Sequence, residues 1–60
     1  MPFTVTAFAS DFPLSETFET ENDALVRAKF WDENGLTDVM ISNAARVYTL
    51  LEFALRVMNN

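Results

Sequence analysis

The sequence predicts a small two-layer α+β domain with the element order β-β-α-β-β-α. Residues 3–9 and 37–43 alternate apolar with polar side chains, as half-buried strands do. Thr20 and Thr49 each stand before a segment suited to a helix, where threonine is a favoured N-cap. We therefore expect one domain over residues 1–60, with an antiparallel-rich sheet and both helices on one of its faces.

Residues 3–9 and 14–19 are the first two predicted strands. FTVTAFA at 3–9 is rich in β-branched and aromatic residues, which favour strands. In the second strand Glu16 interrupts the side that carries Leu14 and Phe18. The segment between the strands contains three typical turn residues: Ser10, Asp11 and Pro13.

The first helix is predicted from Glu21 to about Asn34. Thr20 is its expected N-cap, and Gly35 is suited to the position just after the helix, which often has positive φ. Glu21 and Asp23 lie in the first turn, where carboxylates interact favourably with the helix dipole. These two acids therefore have a structural role that requires no ligand.

The second half of the chain repeats the order strand, strand, helix with shorter elements. Residues 37–43 and 46–48 are predicted to pair as strands across the three-residue turn 43–45. Residues 49–52 form a capping-box pattern, so a second helix is expected to begin there and to end near Met58.

The composition limits how so short a chain can be stabilised and what it can bind. There is no cysteine and no histidine, which removes disulfides and the usual zinc ligands. Half of the residues are hydrophobic, so the sequence predicts either a dense core or association. We expect no cofactor or metal, no membrane span and no signal peptide, and hence a cytoplasmic protein.

Acidic residues are concentrated in the first half of the sequence. Residues 1–26 contain five carboxylates and no basic side chain, whereas the remaining charges balance, so the net charge of −5 arises in the first half. This distribution argues against nucleic acid as a ligand and favours a protein partner with a basic surface. The acids predicted to contact it are Asp11, Glu16 and Glu19.

Val26 and Phe30 do not fit the helical stripe of their neighbours. At 100° per residue, one face of the first helix is apolar and these two side chains point to nearly the opposite side. Either the final helix covers them, or they are exposed and form part of an interface. The apolar face consists of Ala24, Leu25, Ala28 and Trp31.

A second candidate interface is predicted on the sheet. Its residues are of types enriched at protein interfaces, although a half-solvated sheet face would account for them equally well. The residues are Met40, Arg46 and Tyr48, and strand alternation places them opposite Val39, Ile41 and Val47.

No segment of the sequence forms a catalytic or ligand-binding motif. Without histidine, the serines have no evident base, and the acidic stretch lacks the spacing of a calcium loop. In size, charge and absence of such chemistry, the chain resembles small acidic phage-encoded inhibitors such as anti-CRISPR proteins and polymerase inhibitors. The resemblance implies a protein that occupies a basic nucleic-acid-binding surface of a host protein.

Three function classes follow from the sequence. The first is a non-catalytic protein-binding module of the inhibitor kind, and the second is a small bacterial domain that forms a homodimer through excess apolar surface. The third is a small enzyme or ion-binding domain. The dependence of partner binding on salt distinguishes the first from the second, and metal titration tests the third.

Overall fold

The computed structural model describes residues 2–59 and has the predicted order of elements. The α+β class and the antiparallel sheet are confirmed, with element bounds within two residues of those predicted. The elements are β1 (Phe3–Ala9), β2 (Phe12–Phe18), α1 (Glu21–Glu33), β3 (Thr37–Ser42), β4 (Val47–Thr49) and α2 (Leu50–Met58).

The four strands form one sheet in the order β2-β1-β3-β4, and each neighbouring pair is antiparallel. β2 and β3 therefore run in the same direction on either side of β1, and α1 connects them. β2 begins at Phe12, two residues before its predicted start, and includes Pro13. Proline is tolerated here because β2 is an edge strand.

A single hydrophobic cluster joins the sheet to the helices. Its sheet members alternate along β1 and β3, so one face of the sheet carries the core. Both α1 and α2 contribute buried side chains to this cluster. Its ten buried members are Phe3, Val5, Ala7, Ala24, Ala28, Trp31, Val39, Ile41, Tyr48 and Phe53.

The end of α1 forms a complete Schellman motif around Gly35. The backbone N–H of Leu36 donates to the carbonyl of Trp31, and that of Gly35 donates to the carbonyl of Asp32, each at 3.1 Å. Gly35 has a φ of +86°, which only glycine adopts without strain. The motif turns the chain so that Leu36 packs against the core before β3 begins.

Two further residues with positive φ shape the sheet. Ser10 (φ 59°) is the first residue of the two-residue turn between β1 and β2, a place where glycine is usual. Asp38 (φ 54°) lies where the β1–β3 register shifts and has no cross-strand partner, so it is the extra residue of a β-bulge.

α2 begins at the predicted capping box. The backbone N–H of Glu52 donates to Thr49 Oγ1 at 3.2 Å, and the backbone N–H of Thr49 donates to Glu52 Oε1 at 3.0 Å. These bonds to Thr49, backbone first and side chain second, hold the pKa of the Glu52 carboxyl below its ordinary value of 4.5. The ionised carboxylate is therefore the form that the folded state favours.

The Glu52 cap is expected to make stability depend on pH in acid. Because the pKa is lower in the folded state, this contribution is fully present above pH 4.5 and is lost as the pH falls through the folded pKa. Glu52→Gln should lower the melting temperature at neutral pH, and the difference from the natural chain should close in acid. Glu19→Gln, at an exposed loop position, is the control. A Glu52→Gln difference that stays constant down to about pH 3 would contradict this role.

Within residues 2–59, neither helix has the length and apolar content needed to cross a membrane.

Candidate functional site

The outer flank of α1 is not covered by α2. Val26 is 67% exposed and Phe30 is 54% exposed, so the interpretation that the final helix covers them is wrong. The reason is the order of the strands. α2 follows β4 at one edge of the sheet and packs on the flank of α1 that carries Leu25, whereas Phe30 lies on the flank towards β2.

α2 carries apolar side chains on its solvent side as well as on its core side. Phe53 is the only residue of this helix that is buried. Leu51, Leu55 and Met58 are between 52 and 78% exposed, and their i, i+4, i+7 spacing places them in one stripe. A nine-residue helix on a two-layer domain can bury only one side, so this stripe remains uncovered.

A groove runs between the two helices beside this stripe. It is open to solvent and has a volume of about 540 Å³. Its α2 wall is apolar, whereas its α1 wall combines Leu25 with the charged groups of Lys29, Asp32 and Glu33. The α2 wall consists of Leu50, Leu51, Ala54 and Met58.

Five of the eight large apolar side chains exposed within residues 2–59 therefore lie on the helices. We call this set, together with the groove, the helix surface. This surface has two parts, the α2 stripe beside the groove and the pair Val26 and Phe30 on the opposite flank of α1. Exposed apolar surface of this kind often marks an interaction site. Its exposed apolar members are Val26, Phe30, Leu51, Leu55 and Met58.

Two ion pairs involve basic residues of the helices. Arg27 lies 3.3 Å from Glu16 on β2, and its guanidinium is about 6 Å from the rings of both Phe18 and Phe30. The Glu16 carboxylate, which interrupts the apolar side of β2, is thus paired across to α1. Both side chains are more than 40% exposed, so the pair contributes only about 0–1 kcal/mol.

Arg56 connects α2 to the start of α1 and to β4. Its Nη2 lies 3.5 Å from Glu21 Oε1, and its Nη1 donates a hydrogen bond to the hydroxyl of Tyr48. Arg56 therefore has one partner on α1 and one on β4. They join both helices to the sheet at one end of the domain.

The three acids predicted to contact a partner do not form one cluster. Asp11 lies in the hairpin turn before β2, Glu16 lies within β2, and Glu19 follows its end. Asp11 and Glu19 are eight positions apart, which corresponds to about 26 Å along an extended strand. They form an acidic line along the β2 edge, interrupted by the Arg27 pair.

The predicted grouping of Met40, Arg46 and Tyr48 on one sheet face is wrong. Tyr48 is directly opposite Ile41 in the β3–β4 register and is only 7% exposed, so it lies in the core. Its ring contacts Phe53 edge-on at 5.6 Å, and the exposed Arg46 places its guanidinium 4.8 Å from the same ring. Met40 is half-buried on the other face, opposite Thr49.

The length of the β3–β4 loop explains this difference. A three-residue turn would pair Ile41 with Val47, but the loop comprises four residues, from Asn43 to Arg46. The side chain of Asn43 stabilises it, because its Oδ1 accepts from the backbone N–H groups of Ala45 at 2.8 Å and Arg46 at 3.0 Å. A shift of one residue transfers every side chain of a strand to the other face.

Sequence reasoning did not single out Leu51, Leu55 and Met58. A usable signal was present, since Glu52 and Arg56 are the only polar residues in α2 and apolar side chains must therefore occupy its solvent side.

The residues described by the structure do not bring three or more acidic side chains into an arrangement that could hold a metal ion. Comparison of the chain with protein-family models, curated proteins and solved structures gave no match. The helix surface is therefore interpreted from its own chemistry.

Proposed function

We propose that the protein is a non-catalytic binding module that docks through its helix surface onto a basic surface of a protein partner. The exposed apolar stripe of α2 beside the groove supports this proposal most directly. The groove lies between two helices, which is the arrangement that accepts an amphipathic helix along its apolar face. α2 is about 13 Å long, so roughly two to three turns of a partner helix fit beside it.

The charge of the domain supports a basic partner. The helices carry five carboxylates, of which Asp32 and Glu33 lie on the groove wall, and three basic residues. Arg27 and Arg56 are paired with carboxylates, which leaves Lys29 as the basic residue of the groove. Lysine or arginine side chains flanking an apolar partner stripe would complement this acidic rim.

An inhibitory role would use the same surface. A protein that occupies a basic, nucleic-acid-binding surface of another protein excludes nucleic acid from it, because both ligands need the same positive charges. We propose this competition as the cellular activity. It requires no reacting group, and the affinity would come from apolar side chains while the acids would mainly accelerate association.

The test uses a designed amphipathic helical peptide of leucine and lysine, with a leucine–glutamate peptide of the same pattern as its counterpart. Leu51→Gln, Leu55→Gln and Met58→Gln should each weaken binding of the lysine peptide by about 10-fold. Val47→Gln is the matched control, because Val47 is similarly exposed but lies on the sheet. Calorimetry gives the affinities, and nuclear magnetic resonance shifts locate the peptide.

Two results would contradict this binding mode. One is equal binding of the lysine and glutamate peptides, which would remove the role of charge. The other is unchanged affinity in all three glutamine variants, which would place the contact away from α2.

A further inference from the structure

Asn34 and Gly35, at the end of α1, form a pair that is chemically unstable in an unfolded chain. The sequence contains one glycine, so Asn34 is the only asparagine that a glycine follows. The backbone nitrogen of the following residue can attack the side-chain amide of an asparagine, and glycine hinders this attack least because it has no side chain. Both residues are exposed, so water and hydroxide reach them. Asparagine is accordingly among the thermolabile residues of proteins.

The reaction at this pair needs only water and hydroxide. Hydroxide removes the proton from the Gly35 nitrogen, which then forms a bond to Asn34 Cγ. The side-chain amide takes a proton from water, which regenerates hydroxide, and leaves as ammonia. Water then opens the five-membered imide at one of its two C–N bonds. Cleavage beside Cγ gives aspartate, and cleavage beside the backbone carbonyl carbon gives isoaspartate, so either product changes the net charge from −5 to −6.

The folded backbone holds these atoms in a geometry that prevents ring closure. The ring needs the Gly35 nitrogen and the Asn34 β-carbon on the same side of the bond between Cα and the carbonyl carbon. The ψ of Asn34 is 12°, which instead places that nitrogen beside the backbone nitrogen of Asn34 itself. The Schellman motif opposes rotation about this bond, because the N–H of Gly35 donates to the carbonyl of Asp32 at 3.1 Å. The N–H of Leu36 likewise donates to the carbonyl of Trp31 at 3.1 Å.

Two side chains strengthen this restraint. Asn34 Nδ2 donates to the carbonyl of Phe30 at 2.7 Å, so the group that must leave is also held by the helix. Leu36 packs against the core, and rotation about the Asn34 ψ bond would pull it away. The end of α1 must therefore open before the ring can form.

We propose that Asn34 is a site of spontaneous deamidation, which the Schellman motif restricts to the moments when the end of α1 opens. Helix ends open locally more often than a core unfolds, so the reaction does not require unfolding of the whole domain. The exposed pair is thus a modification site whose rate is set by the stability of one helix end.

Both products weaken the helix end from which they form. A carboxylate cannot donate to the Phe30 carbonyl, and negative charge is unfavourable at the C-terminus of a helix. Asp32 and Glu33 lie in the same turn and repel it further. In isoaspartate the additional backbone atom also displaces the following N–H groups from their carbonyl partners. Deamidation therefore loosens the end of α1 irreversibly.

Mass spectrometry during incubation at mildly alkaline pH tests the proposal, with the chain either folded or unfolded in guanidinium chloride. In the unfolded chain Asn34 should deamidate, and Gly35→Ala should slow the reaction by at least about 10-fold because its methyl group hinders the attack. The folded natural chain should react at least about 10-fold more slowly than the unfolded one. This slowing should match the hydrogen-exchange protection of the Leu36 amide within about threefold, because both reactions need the same opening.

Leu36→Ala should accelerate deamidation of the folded chain by about 10-fold, because it removes the side chain that holds the motif against the core. Leu14→Ala is the matched control, since Leu14 is a partly buried leucine that packs against the same core from β2. Asn34→Asp, which reproduces one product, should lower the melting temperature by about 4–8 °C.

Three results would overturn the proposal. One is an equal rate of deamidation in the folded and unfolded chains. Another is equal acceleration by Leu36→Ala and Leu14→Ala, which would mean that the whole domain must unfold. If Leu36→Ala does not fold, the natural chain decides the same question, because slowing as strong as the exchange protection of the buried Val5 would also indicate global unfolding. The third is an unchanged melting temperature in Asn34→Asp.

Discussion

Replacing Phe53 with alanine is expected to remove most of the folding free energy of the domain. Phe53 is fully buried and is the only buried residue of α2. Its ring packs edge-on against Phe3 and against Tyr48, with 5.6 Å between ring centroids in each case. One side chain thus holds α2 against both β1 and β4.

The magnitude follows from the size of the deleted group and of the domain. Phe→Ala in a core costs about 3–5 kcal/mol. A chain of 60 residues is stabilised by only about 3–9 kcal/mol at typical values per residue. The variant should therefore be largely unfolded or melt near room temperature. Fluorescence of Trp31, the single tryptophan, reports the transition during urea unfolding.

Two further variants identify the cause of this loss. Phe53→Leu keeps most of the apolar volume and should cost about 1–2 kcal/mol while the fold is retained. Leu55→Ala, on the exposed side of the same helix, should change stability by no more than about 0.5 kcal/mol. If Phe53→Ala proved as stable as Leu55→Ala, α2 would not be held by the core.

Helix ends could be predicted from the sequence because their signals are local. Thr20 accepts from the backbone N–H of Asp23 at 3.2 Å, Gly35 has the expected positive φ, and Thr49 forms the capping box. The hydrogen bonds at these helix ends join residues at most five positions apart. Such contacts require no knowledge of the rest of the fold.

The positions of side chains on the sheet could not be obtained in the same way. The face of Tyr48 depends on whether the preceding loop has three residues or four, and alternation along β4 is compatible with either. The bonds accepted by the Asn43 side chain fix the longer loop. An error of one residue in the predicted loop length therefore placed Tyr48, a core residue, in the predicted interface.

The exposure of Val26 and Phe30 depended on topology. Their spacing showed that they could not share the core face of α1, but not which neighbour lay beside them. The strand order β2-β1-β3-β4 places α2 beyond β3, on the other flank of α1. Composition alone identifies excess apolar surface, whereas the order of the strands determines where it lies.

Reversing Asp11, Glu16 and Glu19 to lysine is expected to slow association with the leucine–lysine peptide by at least about 10-fold at low salt. Each substitution changes the charge by two, so the net charge goes from −5 to +1 and long-range attraction becomes repulsion. The rates of the natural and reversed chains should converge as salt rises, because screening shortens the range to about 8 Å at physiological ionic strength.

The location of the charge is tested with a matched pair of variants. Asp11→Asn with Glu19→Gln, and Ala44→Lys with Ala45→Lys, each change the net charge from −5 to −3. Neither pair alters the contact between Glu16 and Arg27, whose charged atoms are 3.3 Å apart. The triple reversal does alter it, because it places a lysine beside Arg27.

Stopped-flow association at several salt concentrations gives the on-rate and its salt slope for each variant, and circular dichroism verifies that each is folded. If the acidic line along β2 steers the partner, the amide pair should lower the on-rate more than the loop lysines do, although the net charge is the same. Equal rates would assign steering to net charge alone. A charge that guides a partner must alter the rate of encounter when its sign is reversed. An unchanged on-rate and salt slope in the folded triple variant would therefore show that these carboxylates only interact with water.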